Sequence, residues 1–396
     1  MQAADRRADG GPRISVVMAN FEAGEKIEFA LRSVLDQSMG DLEVIVSDDA
    51  SQDNSVARVT ALMAGDHRIR LSIGETNRGP AHCRNRALDL ARGQWIAVVD
   101  SDDILHPERF ERLLAAAAAH DADIIADDLL LFHEDGSPPK LMLGENANAA
   151  LAVTPEDWVL AGLDGTPALG YLKPLIRADR LKSSRYDEAL RIGEDYDFVL
   201  RLLLDGARMT ILPEPFYLYR RHAASISHRL SVPDMQAMVA RQQALVAEQA
   251  TLSPDLAAAF AKRHCVLQQG LSYEQLVASI KGRKLSEALA LLIGDPAHLQ
   301  RLWGSFKEGR QRRSGQEIPR PAPLQSLVLG GADWPVPDYL PADRVDWSLP
   351  RPRHTWRALA AHAGAHCMTQ DAAGRYAAGF IPEVILTKSQ KLQVAS

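Results

Sequence analysis

The sequence predicts an α/β fold: a mainly parallel sheet flanked by helices, followed by a mostly helical C-terminal extension. Three observations carry this. Short β-branched runs alternate with amphipathic helical stretches through the first third of the chain. Acidic clusters stand where two of those runs end. Beyond about residue 233 the alternation gives way to a helical pattern rich in Ala, Leu and Gln.

The elements follow in order. Ile14 to Ala19 is an apolar run that reads as a buried strand. Ile27, Ala30, Leu31, Val34 and Leu35 then fall on one helical face. Leu42 to Val46 is a second strand, and Val56, Val59, Leu62 and Met63 mark a second helix. Arg68 to Ile73 is a third strand. Pro80 to Ala91 is a third helix, with the proline in the first turn, where its missing N–H costs nothing. Trp95 to Val99 is a fourth strand, followed by a helix from about Pro107 to Ala119 and a further strand at Ile124 and Ile125. Residues 130–230 are less regular, with helices near 155–162 and 195–205 and a strand-like Phe216 to Tyr219. The proline-rich stretch 318–355 reads as extended, with a last helix at Trp356 to Ala363. The expected division is a catalytic domain over 12–230, a helical region over 231–315, and an extended segment with a C-terminal tail over 316–396.

Composition excludes several classes. The chain has 396 residues, 46% apolar and 24% charged, as expected of a globular protein larger than one compact unit. Lys and Arg total 45 against 51 Asp and Glu, a net charge of −6, so nucleic acid is not an expected partner. Cys83, Cys265 and Cys367 are far apart and odd in number, which argues against a disulfide framework and for a reducing compartment. No apolar run approaches the ~20 residues that span a bilayer. Met1 to Pro12 lacks the apolar centre of a secretory signal. A cytoplasmic protein is expected.

The chemistry-bearing residues gather at strand ends, where ligands sit in parallel sheets. The second strand runs into Ser47-Asp48-Asp49-Ala50-Ser51-Gln52-Asp53 and the fourth into Asp100-Ser101-Asp102-Asp103. Gly193-Glu194-Asp195-Tyr196-Asp197 opens a later helix. Asp and Ser at such places also serve as helix caps, the plainer reading of any one cluster. Three carboxylates within four residues, however, repel one another as water is excluded. A divalent cation removes that repulsion, and Mg²⁺ or Mn²⁺ typically uses one or two carboxylates plus substrate phosphates.

These motifs, in this order, resemble glycosyltransferase family 2, a group of inverting enzymes with the GT-A fold. Ile14 to Asn20 is similar to the family's opening strand, and Val46 to Ser55 to its nucleotide-binding DDGSTDxS loop. Val99 to Asp103 resembles its metal-binding DxD element, and Gly193 to Asp197 its catalytic GED element. Asn77 to Asn85 and Tyr219 to Ser227 are similar to two supporting segments, NxGxxxARN and YRxHxxSxS. The resemblance covers roughly the first 230 residues. Ala50 departs from the usual Gly, and Ala at a position needing positive φ is strained. The processive synthases' QxxRW element is missing, so single addition is expected.

The resemblance implies roles. Asp195 is the candidate general base, with Glu194 its rival in the same element. Ala19, Asp49, Arg84, Asp100, Ser101 and Arg220 are the candidates for binding the nucleotide-sugar. Asp49 would receive the base; a carboxylate accepts the imide N–H of uracil, which favours a UDP-sugar. Arg84 would reach the nucleotide or its phosphates. Asp100 would bind the ribose or a metal-bound water. Asp102 is the candidate ligand of Mn²⁺ or Mg²⁺, with His222 a further one. Asp48 is expected to support its loop and Asp197 to bond within its helix turn. The expected acceptor is a glycan or lipid-linked oligosaccharide in surface polysaccharide or exopolysaccharide assembly. It would be met at the inner face of the cytoplasmic membrane, through Leu302, Trp303 and Phe306 with Lys307, Arg310, Arg312 and Arg313, or without membrane contact. The alternative is a non-catalytic nucleotide-sugar-binding or scaffolding subunit, which should have lost Asp102 or Asp195.

Overall fold

A run of β-branched and aliphatic residues can lie between two helical layers only if both its faces are apolar. Two strands at the N-terminus meet that condition. Strand β1 (Ile14–Asn20) is buried except at Ala19, and β2 (Leu42–Asp48) is buried throughout. Each fully buried Ile, Val or Leu contributes about 1.5–3 kcal/mol, which holds these strands inside the sheet, each with a neighbour on both sides. The computed structural model describes residues 10–303 except 25, 134–139, 145 and 222–229, and the short segments 326–329, 343–345, 366–369 and 384–386.

Strand β3 (Ile69–Ile73) pairs with β2, β2 with β1, and β1 with β4 (Trp95–Val98), all in parallel. The crossovers run through α1 (Lys26–Leu35), α2 (Ser55–Met63) and α3 (Pro80–Leu90). Pro80 stands in the first turn of α3, as the sequence predicts. The loop after β4 holds β5 (Ile104–Leu105), and α4 (Arg109–Ala119) leads to β6 (Ile124–His133). The sheet then departs from a purely parallel order. Strand β7 (Lys140–Leu141) folds back on β6, and β8 (Leu151–Val153) introduces helix α5 (Pro155–Leu160). Strand β9 (Leu175–Arg177) inserts antiparallel between β4 and β6. After α6 (Ala178–Leu181) and α7 (Glu194–Leu204), β10 (Met209–Arg221) pairs parallel with β6 and antiparallel with β5 and β8. The path is β3-β2-β1-β4-β9-β6-β10-β5.

Strand β10 is longer than the predicted Phe216 to Tyr219. Pro213 and Pro215 interrupt it, and its register on β6 shifts between Leu212 and Tyr217. Proline cannot donate to the ladder, so the chain bulges there. Inside the bulge the Phe216 amide donates to Asp127 Oδ2 at 3.1 Å. Asp127 also pairs with Arg109 at 2.7 Å, both side chains fully buried. Removing one partner of such a pair leaves a bare buried charge and costs about 3–5 kcal/mol. Arg109 donates as well to the carbonyl of Lys173, so α4 fixes the backbone just before β9.

The chain continues into α8 (Val232–Glu248), α9 (Pro254–Lys281) and α10 (Leu285–Gly294). Ser231 and Asp234 form a reciprocal cap at the start of α8. Leu245, Leu256, Ala259 and Phe260 join the same core as the sheet. Arg263 of α9 lies 3.9 Å from the centre of the Tyr196 ring on α7. Helix α10 and the helical stretch 297–303 after it leave Leu285, Leu289, Ile293, Leu299 and Trp303 exposed. Four more strands, β11 (Ser326–Leu329), β12 (Asp343–Val345), β13 (His366–Thr369) and β14 (Val384–Leu386), form a second, all-parallel sheet in the order β12-β11-β13-β14. The predicted helix at Trp356 to Ala363 lies outside the described residues.

Candidate active site

The carboxyl ends of β1, β2 and β4 open on one side of the sheet, and the acidic clusters stand there. After β2, Asp48 accepts from Asn20 Nδ2 at 2.6 Å, from the Ser51 amide at 2.9 Å and from the Ser51 hydroxyl at 2.7 Å. It supports the loop, as expected. Ala50 sits at φ +64°, the left-handed conformation that glycine adopts without strain. Asp49 is buried. Its carboxylate accepts the Arg78 amide at 3.0 and 3.1 Å and the Gly79 amide at 2.7 Å, anchoring the approach to α3. Ala19, half-buried, lies beside this loop at the end of β1.

After β4, the first and last acids of the Asp100–Asp103 turn are tied down. Asp103 is buried and accepts from the Tyr217 hydroxyl at 2.8 Å and from the Arg220 amide at 2.7 Å. Burial, then the charges of Asp102 and Asp100, push its carboxyl well up. The Tyr217 oxygen in turn accepts from the Asp100 amide at 3.1 Å, so the bulged strand β10 clamps the turn. Arg220 Nε donates to the Asp102 carbonyl at 2.9 Å, which makes Arg220 a brace of this turn. Ser101 is buried within it, and the Asp102 side chain is half-buried. His222 lies outside the described residues.

The third cluster reaches the second through two cations. Gly193, at φ +89°, turns the chain into α7 and sets Glu194 and Asp195 in its first turn. Arg84 of α3 is buried between them and β4. Its guanidinium lies 2.9 Å from Asp100 Oδ1, 2.7 Å from Glu194 Oε1 and 3.1 Å from Asp195 Oδ1. Lys173, also buried, places Nζ 2.8 Å from Asp100 Oδ2 and 2.9 Å from Asp195 Oδ2. Burial alone would raise the Asp100 carboxyl, but the Lys173 and Arg84 charges hold it well below the usual carboxylate range. Burial would lower the Lys173 ammonium, yet Asp100 and Asp195 raise it well above its ordinary value. Burial, then the Asp195 charge, raise Glu194. Asp197 turns away from the cluster, to Arg201 at 2.8 Å in its own helix and to Arg241 of α8 at 2.7 Å.

Of the predicted residues, Arg84, Asp100, Glu194 and Asp195 thus converge from distant segments, with some redistribution of partners, while Asp49 bonds to the Arg78 and Gly79 amides. Arg84, expected at the nucleotide or its phosphates, has three carboxylates as its observed partners. The repulsion among the Asp100–Asp103 acids is relieved in part by protein cations and by the Tyr217 hydroxyl. Among the described residues no group of three or more His, Cys, Asp or Glu side chains is set to hold a metal. Mg²⁺ and Mn²⁺ need only one or two carboxylates when a diphosphate supplies further oxygens, and Asp102 meets that requirement. Sequence reasoning missed Lys173 and Tyr217. Lys173 precedes Pro174 in an irregular stretch, and the only signal was a lone lysine before a short apolar run.

Residues 15–160 match the sequence profile described as Glycosyl transferase family 2. The chain is 34% identical over 340 residues to the succinoglycan biosynthesis protein ExoO of Rhizobium meliloti (strain 1021), covering 81% of this chain and 94% of that one. It is 30% identical over 334 residues to ExoU, a succinoglycan biosynthesis protein of the same organism, covering 80% and 92%. The S. aureus TarS fragment 1–349, solved with UDP-GlcNAc, shares the fold with a TM-score of 0.54 at 18% identity, over 70% of this chain and 90% of that chain.

Proposed function

The chain belongs to glycosyltransferase family 2 and is a glycosyltransferase, and from that premise we propose that it adds a single sugar, with inversion, from a nucleoside-diphosphate donor to an acceptor hydroxyl in exopolysaccharide assembly. The observation that carries this reading is the junction of Asp100 with Asp195 across Arg84 and Lys173. It sets donor-side and base carboxylates side by side, as direct displacement requires. The acceptor oxygen bonds to the anomeric carbon while that carbon's bond to the diphosphate breaks. Asp195 takes the acceptor proton, and the nucleoside diphosphate leaves. Asp195 is favoured over Glu194 because it is the more exposed, at 18% against 11%.

Asp102 would hold the divalent cation, which when bound supplies Lewis-acid stabilisation of the leaving diphosphate. Asp49, Ala19 and Ser101 would line the nucleotide site, with Arg84 and Arg220 holding its carboxylates and turn in place. UDP-glucose is the proposed donor. The UDP-GlcNAc held by the structurally similar TarS is in keeping with a uridine nucleotide. The proposed acceptor is a glycan or lipid-linked oligosaccharide. We place the enzyme in the cytoplasm, in peripheral contact with the membrane. No helix among the described residues is long and apolar enough to cross a membrane. Of the side chains expected at the membrane, Phe306, Lys307, Arg310, Arg312 and Arg313 lie outside the described residues; the exposed α10 stripe, flanked by the exposed Lys281, Arg283, Lys284 and Arg301, would add to that contact at the surface of an anionic bilayer.

A screen of UDP-, GDP- and dTDP-sugars for nucleoside diphosphate release tests the donor, with EDTA and Mn²⁺ arms. UDP release that vanishes in EDTA and returns with Mn²⁺ is expected. Full turnover in EDTA would refute the metal, and exclusive use of a purine nucleotide would refute the uridine assignment. Asp195→Asn should lower turnover by about 10²–10⁴-fold. Near-normal turnover in Asp195→Asn, with loss in Glu194→Gln, would transfer the base role to Glu194.

A further inference from the structure

The Lys173 side chain is buried, at 4% exposure. Lysine is almost never fully buried unless it is paired. Its two carboxylate partners belong to different halves of the proposed reaction: Asp100 opens the donor-side turn after β4, and Asp195 stands in the first turn of α7. The ammonium is fixed from behind. The Lys173 carbonyl accepts from Arg109, whose guanidinium is itself locked on Asp127. Pro174 and the antiparallel β9 hold the next residues against β4 and β6. The side chain is therefore anchored in the core and aimed outward at two carboxylates. A merely solvated surface ion pair would show neither the burial nor the anchoring.

Arg84 makes the complementary contacts. It takes Asp100 Oδ1 and Asp195 Oδ1, while Lys173 takes Oδ2 of each. Both oxygens of both carboxylates are thus held, and neither carboxylate is left to turn about its χ2 angle. Arg84 is shared three ways, with Glu194 as its shortest partner at 2.7 Å. Lys173 serves only these two carboxylates among the contacts described. It is consequently the member whose removal frees Asp195 most directly.

We propose that Lys173 is a positioning residue for sugar transfer, holding Asp195 in the orientation that receives the acceptor proton and coupling it to Asp100 on the donor side. This deepens the proposed function and rests on Asp195 being the base. The ammonium touches no reacting atom. It acts through the direction of the Asp195 carboxylate, and displacement of a reacting group by about 1 Å can cost on the order of 10²-fold in rate.

The test compares the full-length wild type with Lys173→Met, Lys173→Arg, Asp195→Asn and the Lys173→Met/Asp195→Asn double variant. Turnover is read as nucleoside diphosphate release from UDP-glucose, or from the sugar nucleotide the donor screen selects in its place. UDP binding is read by calorimetry. Lys173→Met should lower kcat by at least about 30-fold while UDP affinity stays within about threefold. Lys173→Arg, which keeps the charge, should recover most of the loss. In the Asp195→Asn background, adding Lys173→Met should change kcat by less than about threefold, because the group it positions is already gone.

Should Lys173→Met fail to fold, the double variant, which removes one charge of each sign, still gives the comparison with Asp195→Asn alone. A further fall of tenfold or more in the double variant would overturn the proposal. So would a normal kcat in Lys173→Met, or a loss of UDP affinity equal to the loss of rate. If Asp195→Asn itself keeps its turnover, the base assignment fails first, and the positioning role fails with it.

Discussion

At Ala50 the chain holds an alanine in the left-handed region, inside a loop otherwise built on Asp48 hydrogen bonds. An L-residue there costs roughly 1–2 kcal/mol, and glycine gives back part of that through its greater unfolded freedom. Ala50→Gly should therefore stabilise the protein by about 0.5–1 kcal/mol, read as a raised Tm. An unchanged or lowered Tm would mean that the loop does not store this strain. The neighbouring Asp49 has two separable duties to test. Its bonds to the Arg78 and Gly79 amides predict that Asp49→Ala destabilises the ligand-free protein by about 1–3 kcal/mol. Its proposed place at the uracil predicts a further loss of about 1.5–3 kcal/mol in UDP binding. Calorimetry showing wild-type UDP affinity in a destabilised variant would leave Asp49 as a loop anchor alone. At Asp102, replacement by Ala should lower kcat by at least about 10²-fold, since a metal at the leaving group is worth several kcal/mol. Stability should hold, because the side chain fills no core volume.

At the scale of elements, legibility followed burial and length. Strands β1 and β2 are seven residues long, rich in Ile, Val and Leu and almost wholly buried, and both could be read as buried strands from the sequence alone. Strand β9 is three residues long, too short for any period, and its antiparallel insertion depends on partners remote in the chain. Lys173 was illegible for the same reason: its meaning lies in Asp100 and Asp195, which no local pattern brings to it. Strand β10 showed only its second half, because Pro213 and Pro215 disguise a bulge as a break. Asp49, Asp100, Asp102 and Asp195 were legible as motifs, while their hydrogen-bond partners were not. Helices α8 and α9 allow a direct test at this scale. Leu245, Leu256 and Phe260 complete the sheet's core, and Arg241 pairs with the buried Asp197. A chain ending at Arg229 should lose these contacts and aggregate, whereas one ending at Trp303 should stay soluble. Soluble yield and Tm of the two decide the matter, and full activity of the shorter chain would show these helices to be dispensable.

For the whole molecule, the exposed Leu285, Leu289, Ile293 and Trp303 form an apolar margin at one end of the helical region. Flotation with anionic liposomes should show binding that weakens as salt rises, the mark of basic residues on a charged surface. Leu289→Ser with Trp303→Ser should abolish it. Absence of binding at low salt would leave delivery of the acceptor to a soluble carrier or partner. The charged junction beneath the site has a different kind of consequence. Arg84 and Glu194 are 110 residues apart in sequence, and Asp100 and Lys173 come from two further segments. The junction can close only after α3, β4, β9 and α7 have all reached their places, so its contacts belong to the final descent to the native state. Interactions absent from the folding transition state set how fast a protein comes apart and leave the speed of its assembly alone. A substitution at Lys173 should therefore steepen the loss of native protein over time, with refolding at its wild-type pace.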